Sequence, residues 1–487
     1  MSKGSSKASS LHHQLLAPGA PEKPADHRKW GELHGCSDAL AICESAQSHK
    51  GLTLVVTRST DDAIRLEQSI RFFLNLPPEE DGATVTEDGM ELLSLPDWET
   101  LPYDLFSPHQ DITSRRLRTL HRLPSTQHGI LVVPARTLMH RLAPPSYLQG
   151  NTLLLKVGET LDIDAWRLQL ESAGYHHAEN VYEHGEYAVR GAILDIYPMG
   201  SNLPYRIDLF DDEIETLRTF DPETQRSIDR IDQIELLPAH EFPWHKQARS
   251  GFRNRWFEHF PDADKNATVY QDVSSGITPP GIEYYLPLFF DETATLFDYL
   301  PAETLMFTAD GLNDAVAAFD AETRARYEDR RHDRLRPILP PGELFLQQDE
   351  VFGQFKQYPR VTCASNELQG NATHNCHTES LPDVAMDGRA ADPAGRLKRF
   401  LNDFAGRVLI CAESSGRREA LIENLSEHGL KPATVANWNA FVEDDEHTLA
   451  ITIAPMEQGM LLPDQHLALI TETALFDLGR ARTALDQ

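Results

Sequence analysis

The chain has 487 residues, and 75 acidic against 45 Lys or Arg side chains give it a formal net charge of −30. That charge repels a polyanion, because generic affinity for nucleic acid comes from Lys and Arg neutralising phosphates, so bulk DNA binding by this chain alone is disfavoured. No apolar run approaches the ~20 residues of a membrane span, and the five cysteines are odd in number and scattered, so a cytoplasmic protein of about three or four domains, without a disulfide framework, is expected.

Residues 1–29 carry Lys and Ser but no continuous apolar core before the Pro-rich stretch Pro18 to Pro24, and read as a disordered leader rather than a signal peptide. Residues 30–150 alternate helix and strand. A helix near Ser37 to Ser48 precedes the strand Leu52 to Thr57, a helix spans Asp61 to Leu74, and a strand lies at Gly129 to Pro134. This alternation predicts a parallel sheet with helices on its faces. The prolines of Leu95 to Asp111 make that segment an ordered loop.

Ahead of the strand at Leu52, where a nucleotide-binding fold would carry its phosphate loop, the chain reads Leu33-His34-Gly35-Cys36-Ser37-Asp38. A phosphate cradle needs several glycines whose N–H groups converge on the β-phosphate, a Lys to neutralise it and a Ser or Thr to hold Mg²⁺. Only Gly35 remains, and the dipeptide Gly-Lys occurs nowhere in the chain. Gly35 therefore reads as the remnant of a degenerate P-loop. No catalytic residue, no cofactor and no ATP hydrolysis are expected of this chain.

From residue 151 to 237 the texture changes to an α+β antiparallel insertion. It has a helix at Asp162 to Ala173 and strands at Tyr187 to Tyr197, Leu203 to Phe210, Glu213 to Phe220 and Ile231 to Leu237. Residues 238–360 are mixed, with a strand at Thr304 to Thr308 and a helix through Asp314 to Tyr327. Residues 361–394 are poor in apolar side chains and read as a linker. A smaller α/β domain is expected over 395–480.

Several motifs resolve to ordinary roles. His240 and His245 are five apart with Pro243 between them, which does not fit the i, i+4 spacing of a helical zinc motif. His374, Cys376 and His377 with Cys363 lack ligand spacing, so no metal site is expected. Leu344 to Glu350 reads as a helix start with acids in its first turn. The basic clusters Arg115, Arg116, Arg118, His121, Arg122 and Arg324 to Arg336 read as solvated faces.

The sharpest local signal is the pair of segments Tyr187 to Gly191 and Pro204 to Phe210. Period-two alternation puts Ile207 and Leu209 on one face and Arg206, Asp208 and Phe210 on the other. With the connecting loop centred on Gly200, Arg190 is expected opposite Phe210, at about 4.5–5.5 Å. An exposed aromatic flanked by two arginines has the composition of an interface hot spot. The competing reading tucks Phe210 under the neighbouring helix.

Together these segments resemble the N-terminal half of the bacterial transcription-repair coupling factors. The resemblance is carried by Asp97 to Asp104, Ser107 to Asp111, Glu183 to Tyr187, Arg190-Gly191, Phe210 to Ile214 and Leu237 to Pro243, and covers roughly residues 30 to 480. It implies a UvrB-like module: a degenerate RecA-like domain over 30–150 and 238–360, interrupted by a UvrA-binding domain over 151–237 and followed by a non-catalytic α/β domain over 395–480. It places the UvrA contacts on Arg190, Arg206 and Phe210. It further implies a monomer that recruits UvrA, in nucleotide excision repair, to RNA polymerase stalled at a lesion. Contacts with polymerase and DNA, and the use of ATP and Mg²⁺, would belong to motor domains absent from this chain, which is expected to be a fragment. The alternatives are a UvrB-type ATPase or excinuclease subunit, and a structural domain restraining that motor.

Overall fold

A computed structural model describes residues 14–24, 26–77, 84–444 and 446–476. Leu52–Thr57, buried at every position, lies inside a seven-stranded sheet. The strand order is Thr373–Asn375, His27–Gly31, Arg360–Cys363, Leu305–Ala309, Leu52–Thr57, Gly129–Pro134 and Glu91–Ser94. Every pairing is parallel. Leu54 and Val56 enter one core and Val55 the other, so the strand is apolar on both faces and reads as a continuous run. Helix Thr60–Phe73 begins where the Ser59 hydroxyl accepts the Asp62 N–H at 3.1 Å.

Two expectations about the edges of this domain are corrected. Of the supposed disordered leader 1–29, the described residues are packed in part. Leu16 and Ala17 are buried, the Glu44 carboxylate accepts the N–H groups of Leu15, Leu16 and Ala17 at 2.7, 2.9 and 2.8 Å, and His27–Gly31 is a sheet strand. Residues 1–13 lie outside the described residues. The supposed linker 361–394 supplies all but the first residue of Arg360–Cys363 and the whole of Thr373–Asn375, which flank His27–Gly31 on both sides, and Val384 is buried in the core of the last domain. Backbone pairing, which composition does not report, orders both segments.

The insertion forms a six-stranded sheet in the order Ser227–Ile231, Glu213–Phe220, Tyr205–Phe210, Ile193–Ile196, Glu186–Arg190 and His176–His177. Two strand expectations change here. The run Tyr187 to Tyr197 is two strands, because Gly191, at φ +64°, opens a two-residue turn with Ala192. The run Ile231 to Leu237 is likewise divided, and Gln233–Leu236 pairs with Leu153–Lys156.

The last domain is a five-stranded sheet, Ala433–Thr434, Leu449–Ile453, Arg407–Ala412, Leu467–Thr471 and Met460–Leu462, parallel except for the final pair. The architecture is thus multidomain α/β, with parallel and mixed sheets around an insertion that is antiparallel except for its parallel edge pair, His176–His177 with Glu186–Arg190. No helix among the described residues is long and apolar enough to cross a membrane.

Candidate partner-binding face and the Gly35 loop

Alternation along Tyr205–Phe210 sends Ile207 and Leu209 into the core and leaves Arg206, Asp208 and Phe210 on the other face. Phe210 ends its strand. It pairs with Glu213 across the turn Asp211-Asp212, where Asp211 takes φ +56°, and its ring is 70% exposed. The reading that buries it under a helix is overturned.

Arg190 does not lie opposite Phe210. Ile193–Ile196 runs between their strands, pairing Arg190 with Ile193 and Ile193 with Asp208. The intervening strand carries a residue that the sequence reading missed. Asp195 is fully buried, and both arginines converge on it from opposite sides. Arg206 donates from Nε to Oδ1 at 2.7 Å and from Nη2 to Oδ2 at 2.9 Å, while Arg190 Nη2 also donates to Oδ2. Arg206 Nη1 reaches the Gln225 carbonyl at 3.2 Å, and its guanidinium lies 4.7 Å over the Phe220 ring. Arg190 Nη1 donates to Asn180 Oδ1 at 3.2 Å.

The two guanidiniums therefore differ in access: the Arg190 side chain is 46% exposed and that of Arg206 15%. The bonds to Asp195 hold Arg206 above its ordinary pKa, with burial opposing them in part. Two arginines on one carboxylate leave one net positive charge. Farther along the face Asp208 accepts from Thr216 at 2.6 Å and from Arg218, so that pair is neutral. The result is a sheet face on which the Arg190, Asp195 and Arg206 cluster carries one net positive charge, with an exposed phenylalanine at its rim opposite exposed Glu213.

Gly35 precedes helix Ser37–His49. It adopts φ +60°, and a Cβ built on it would stand 1.7 Å from the carbonyl oxygen of Gly459, in the last domain. That oxygen accepts the Cys36 N–H at 3.4 Å, and the Thr378 hydroxyl accepts the His34 N–H at 2.8 Å. Backbone donors that a phosphate would use are engaged by the chain itself. Two cavities border the loop: one of about 90 Å³, below the ~300 Å³ at which small-molecule sites begin, and one of about 710 Å³ on the side of the last domain, lined by Gly35, Gln458, Gly459 and Thr471. An acid borders the smaller one: burial pushes the Asp38 carboxyl up to about 6.

The remaining motifs have structural roles. His240 stacks on Phe242 at 4.8 Å, and His245 Nδ1 accepts the Ala248 N–H at 3.2 Å to cap the helix Lys246–His259. The solvated-face reading of the basic clusters is corrected at three residues. Arg116 is fully buried against Glu241, while Arg326 and Arg330 donate to the carbonyls of Pro102 and Tyr103 and pin the Leu95 to Asp111 loop.

Comparison with known proteins decides the family. The family model described as the UvrB interaction domain matches residues 153–242, and the one described as the MFD D3 domain matches residues 400–475. A transcription-repair-coupling factor of Escherichia coli (strain K12) is 42% identical over 468 residues, covering 96% of this chain and 39% of the relative. That of Haemophilus influenzae is 42% identical over 450 residues, covering 92% and 38%. The chain belongs to the transcription-repair-coupling factor family. A more distant member, from Bacillus subtilis, is 24% identical over 419 residues, covering 82% of the chain and 35% of the relative. The chain thus spans less than two fifths of these relatives' length.

Within this transcription-repair-coupling factor segment, the matched UvrB interaction domain contains the whole face of Arg190, Asp195, Arg206 and Phe210. The matched D3 domain contains Gly459, whose carbonyl closes the Gly35 loop.

Proposed function

We propose that the chain is the UvrA-recruiting, UvrB-like module of a transcription-repair coupling factor. The carrying observation is that the residues matched to the UvrB interaction domain form a sheet with an exposed phenylalanine and a cationic patch on its solvent face. Phe210 would enter an apolar pocket on UvrA, and Arg190 would meet a carboxylate beside it. A buried aromatic anchor of this kind costs about 2 kcal/mol or more on truncation. The chain would bring UvrA to a stalled RNA polymerase, with polymerase contact, DNA translocation and ATP use residing in the parts of the family protein that this chain does not span.

For the Gly35 loop we propose a degenerate P-loop that serves docking of the last domain rather than nucleotide chemistry. The absence of a Gly-Lys dipeptide and the Gly459 carbonyl against the loop support that reading. It also weighs against the UvrB-type ATPase alternative, since no loop cation is present to neutralise a transferring phosphate.

The test is capture of purified UvrA by the immobilised 487-residue chain, with ATP hydrolysis by the same chain measured in parallel. Saturable capture without turnover above a protein-free blank is expected. Failure to retain UvrA would overturn the recruitment reading, and turnover would restore the ATPase one.

A further inference from the structure

The arginines of the candidate face are not two equivalent prongs. Arg206 commits three of its five guanidinium N–H groups within the chain, is stacked on Phe220 and is largely covered. Arg190 commits two, to Asn180 and Asp195, and is the more exposed of the pair. One carboxylate, Asp195, ties them together. It sits on the strand between theirs, where its register partners are Ala188 and Arg206. A buried carboxylate keeps its charge only when its lone pairs are met by donors, and here the two guanidiniums meet them.

We infer that Asp195 is the positioning residue of this face: it fixes Arg190 in its contacting geometry and assigns Arg206 to holding that arrangement rather than to touching the partner. The inference rests on the UvrA reading above and deepens it. The long Arg190 side chain, if free, would lose rotamer entropy on being ordered by a partner, and Asp195 removes part of that cost beforehand. Asp195 also halves the positive charge of the pair. A face built for charge alone would omit it.

This separates two mechanisms that make opposite predictions. If only charge matters, Asp195→Asn raises the net charge of the patch and tightens binding to an acidic partner surface. If orientation matters, the same change weakens binding. An asparagine offers one acceptor oxygen where the carboxylate offers two, and turns an amide N–H₂ toward one guanidinium.

The experiment measures UvrA affinity for the full 487-residue chain as wild type, Arg190→Ala, Phe210→Ala, Asp195→Asn, Arg206→Lys and the Asp195→Asn/Arg190→Ala double variant, with thermal melts as a folding control. Asp195→Asn is expected to weaken binding about tenfold, the scale of one charge-assisted hydrogen bond. Arg206→Lys keeps the charge but loses the fork, and is expected to do the same; it decides the matter if Asp195→Asn does not fold. On top of Arg190→Ala, the Asp195 change is expected to add less than about a further twofold, because the two residues act as one unit. A merely structural role for Asp195 would leave its penalty undiminished in that background. Unchanged or tighter binding by Asp195→Asn, wild-type binding by Arg206→Lys, or fully multiplying penalties would each overturn the inference, and the UvrA reading would stand if Arg190→Ala and Phe210→Ala still bind poorly. Wild-type affinity in both of those would overturn the reading and this inference with it.

Discussion

The carbonyl oxygen of Gly459 occupies the space that any side chain at position 35 would need, 1.7 Å from a Cβ built on Gly35. Gly459 meets a similar limit on its own side, since a Cβ there would lie 2.2 Å from the Leu469 carbonyl oxygen. The last domain and the loop before helix Ser37–His49 therefore meet backbone to backbone, which leaves no room for a side chain at position 35.

Gly35→Ala should accordingly loosen the docking of the last domain. The left-handed conformation at φ +60° alone costs about 1–2 kcal/mol for a residue with a Cβ, and displacing the Gly459 segment adds to it. Denaturant unfolding should show a lowered midpoint, and limited proteolysis should release the segment beyond residue 395 sooner. An unchanged midpoint and digestion pattern would contradict the contact.

Arg116 and Glu241 form a buried pair, Nε to Oε1 at 2.6 Å and Nη2 to Oε2 at 3.1 Å. Trp98 Nε1 donates to the same carboxylate at 3.2 Å, and the Pro96 carbonyl takes Arg116 Nη1 at 2.8 Å. The pair ties the Leu95 to Asp111 loop to the chain leaving the insertion. Glu241→Ala leaves an unmatched buried guanidinium and should cost about 3–5 kcal/mol in chemical denaturation. A loss of the size seen for surface pairs, below about 1 kcal/mol, would contradict this placement.

Glu283 introduces a pH dependence. Burial pushes its carboxyl from 4.5 up to about 7, with the Ser107 hydroxyl bond at 2.8 Å opposing in part. The folded chain then holds a proton that the unfolded chain releases between about pH 4.5 and 7, so stability from this group is complete below pH 4.5 and is lost as pH rises through 7. Relative to wild type, Glu283→Gln should gain stability on going from pH 5 to pH 8. A difference that stays flat across that range would contradict the shift.

Much of this arrangement is legible in the sequence, and the exceptions share a physical cause. Strands buried on both faces, such as Leu52–Thr57, stand out because every residue is apolar or a Thr, and the alternation at Arg206, Asp208 and Phe210 sorts the two sheet faces correctly. Gln347 and Glu350 form a capping box at the start of helix Gln348–Phe355, in keeping with the acids there. The turn at Gly191 is hidden inside an apolar run that continues on both sides of it, so a single long strand is inferred and the register of Arg190 is lost. Gly191 itself was the available signal. Asp195 does not stand out in the sequence, because its burial is produced by arginines from two other strands. Residues 14–29 and 361–394 look unstructured by composition, which reports side-chain burial and is silent on backbone pairing to distant strands.

The central claim is that Phe210 anchors a partner. Its dissociation constant test compares Phe210→Ala with Phe257→Ala, a phenylalanine of similar accessibility on the helix Lys246–His259 rather than on the insertion's sheet, exposed at 61% against 70%. Affinity of the 487-residue chain for UvrA should fall at least about tenfold for Phe210→Ala, matching an anchor worth ~2 kcal/mol, and stay at the wild-type value for Phe257→Ala. Equal affinities for the two variants would contradict the account.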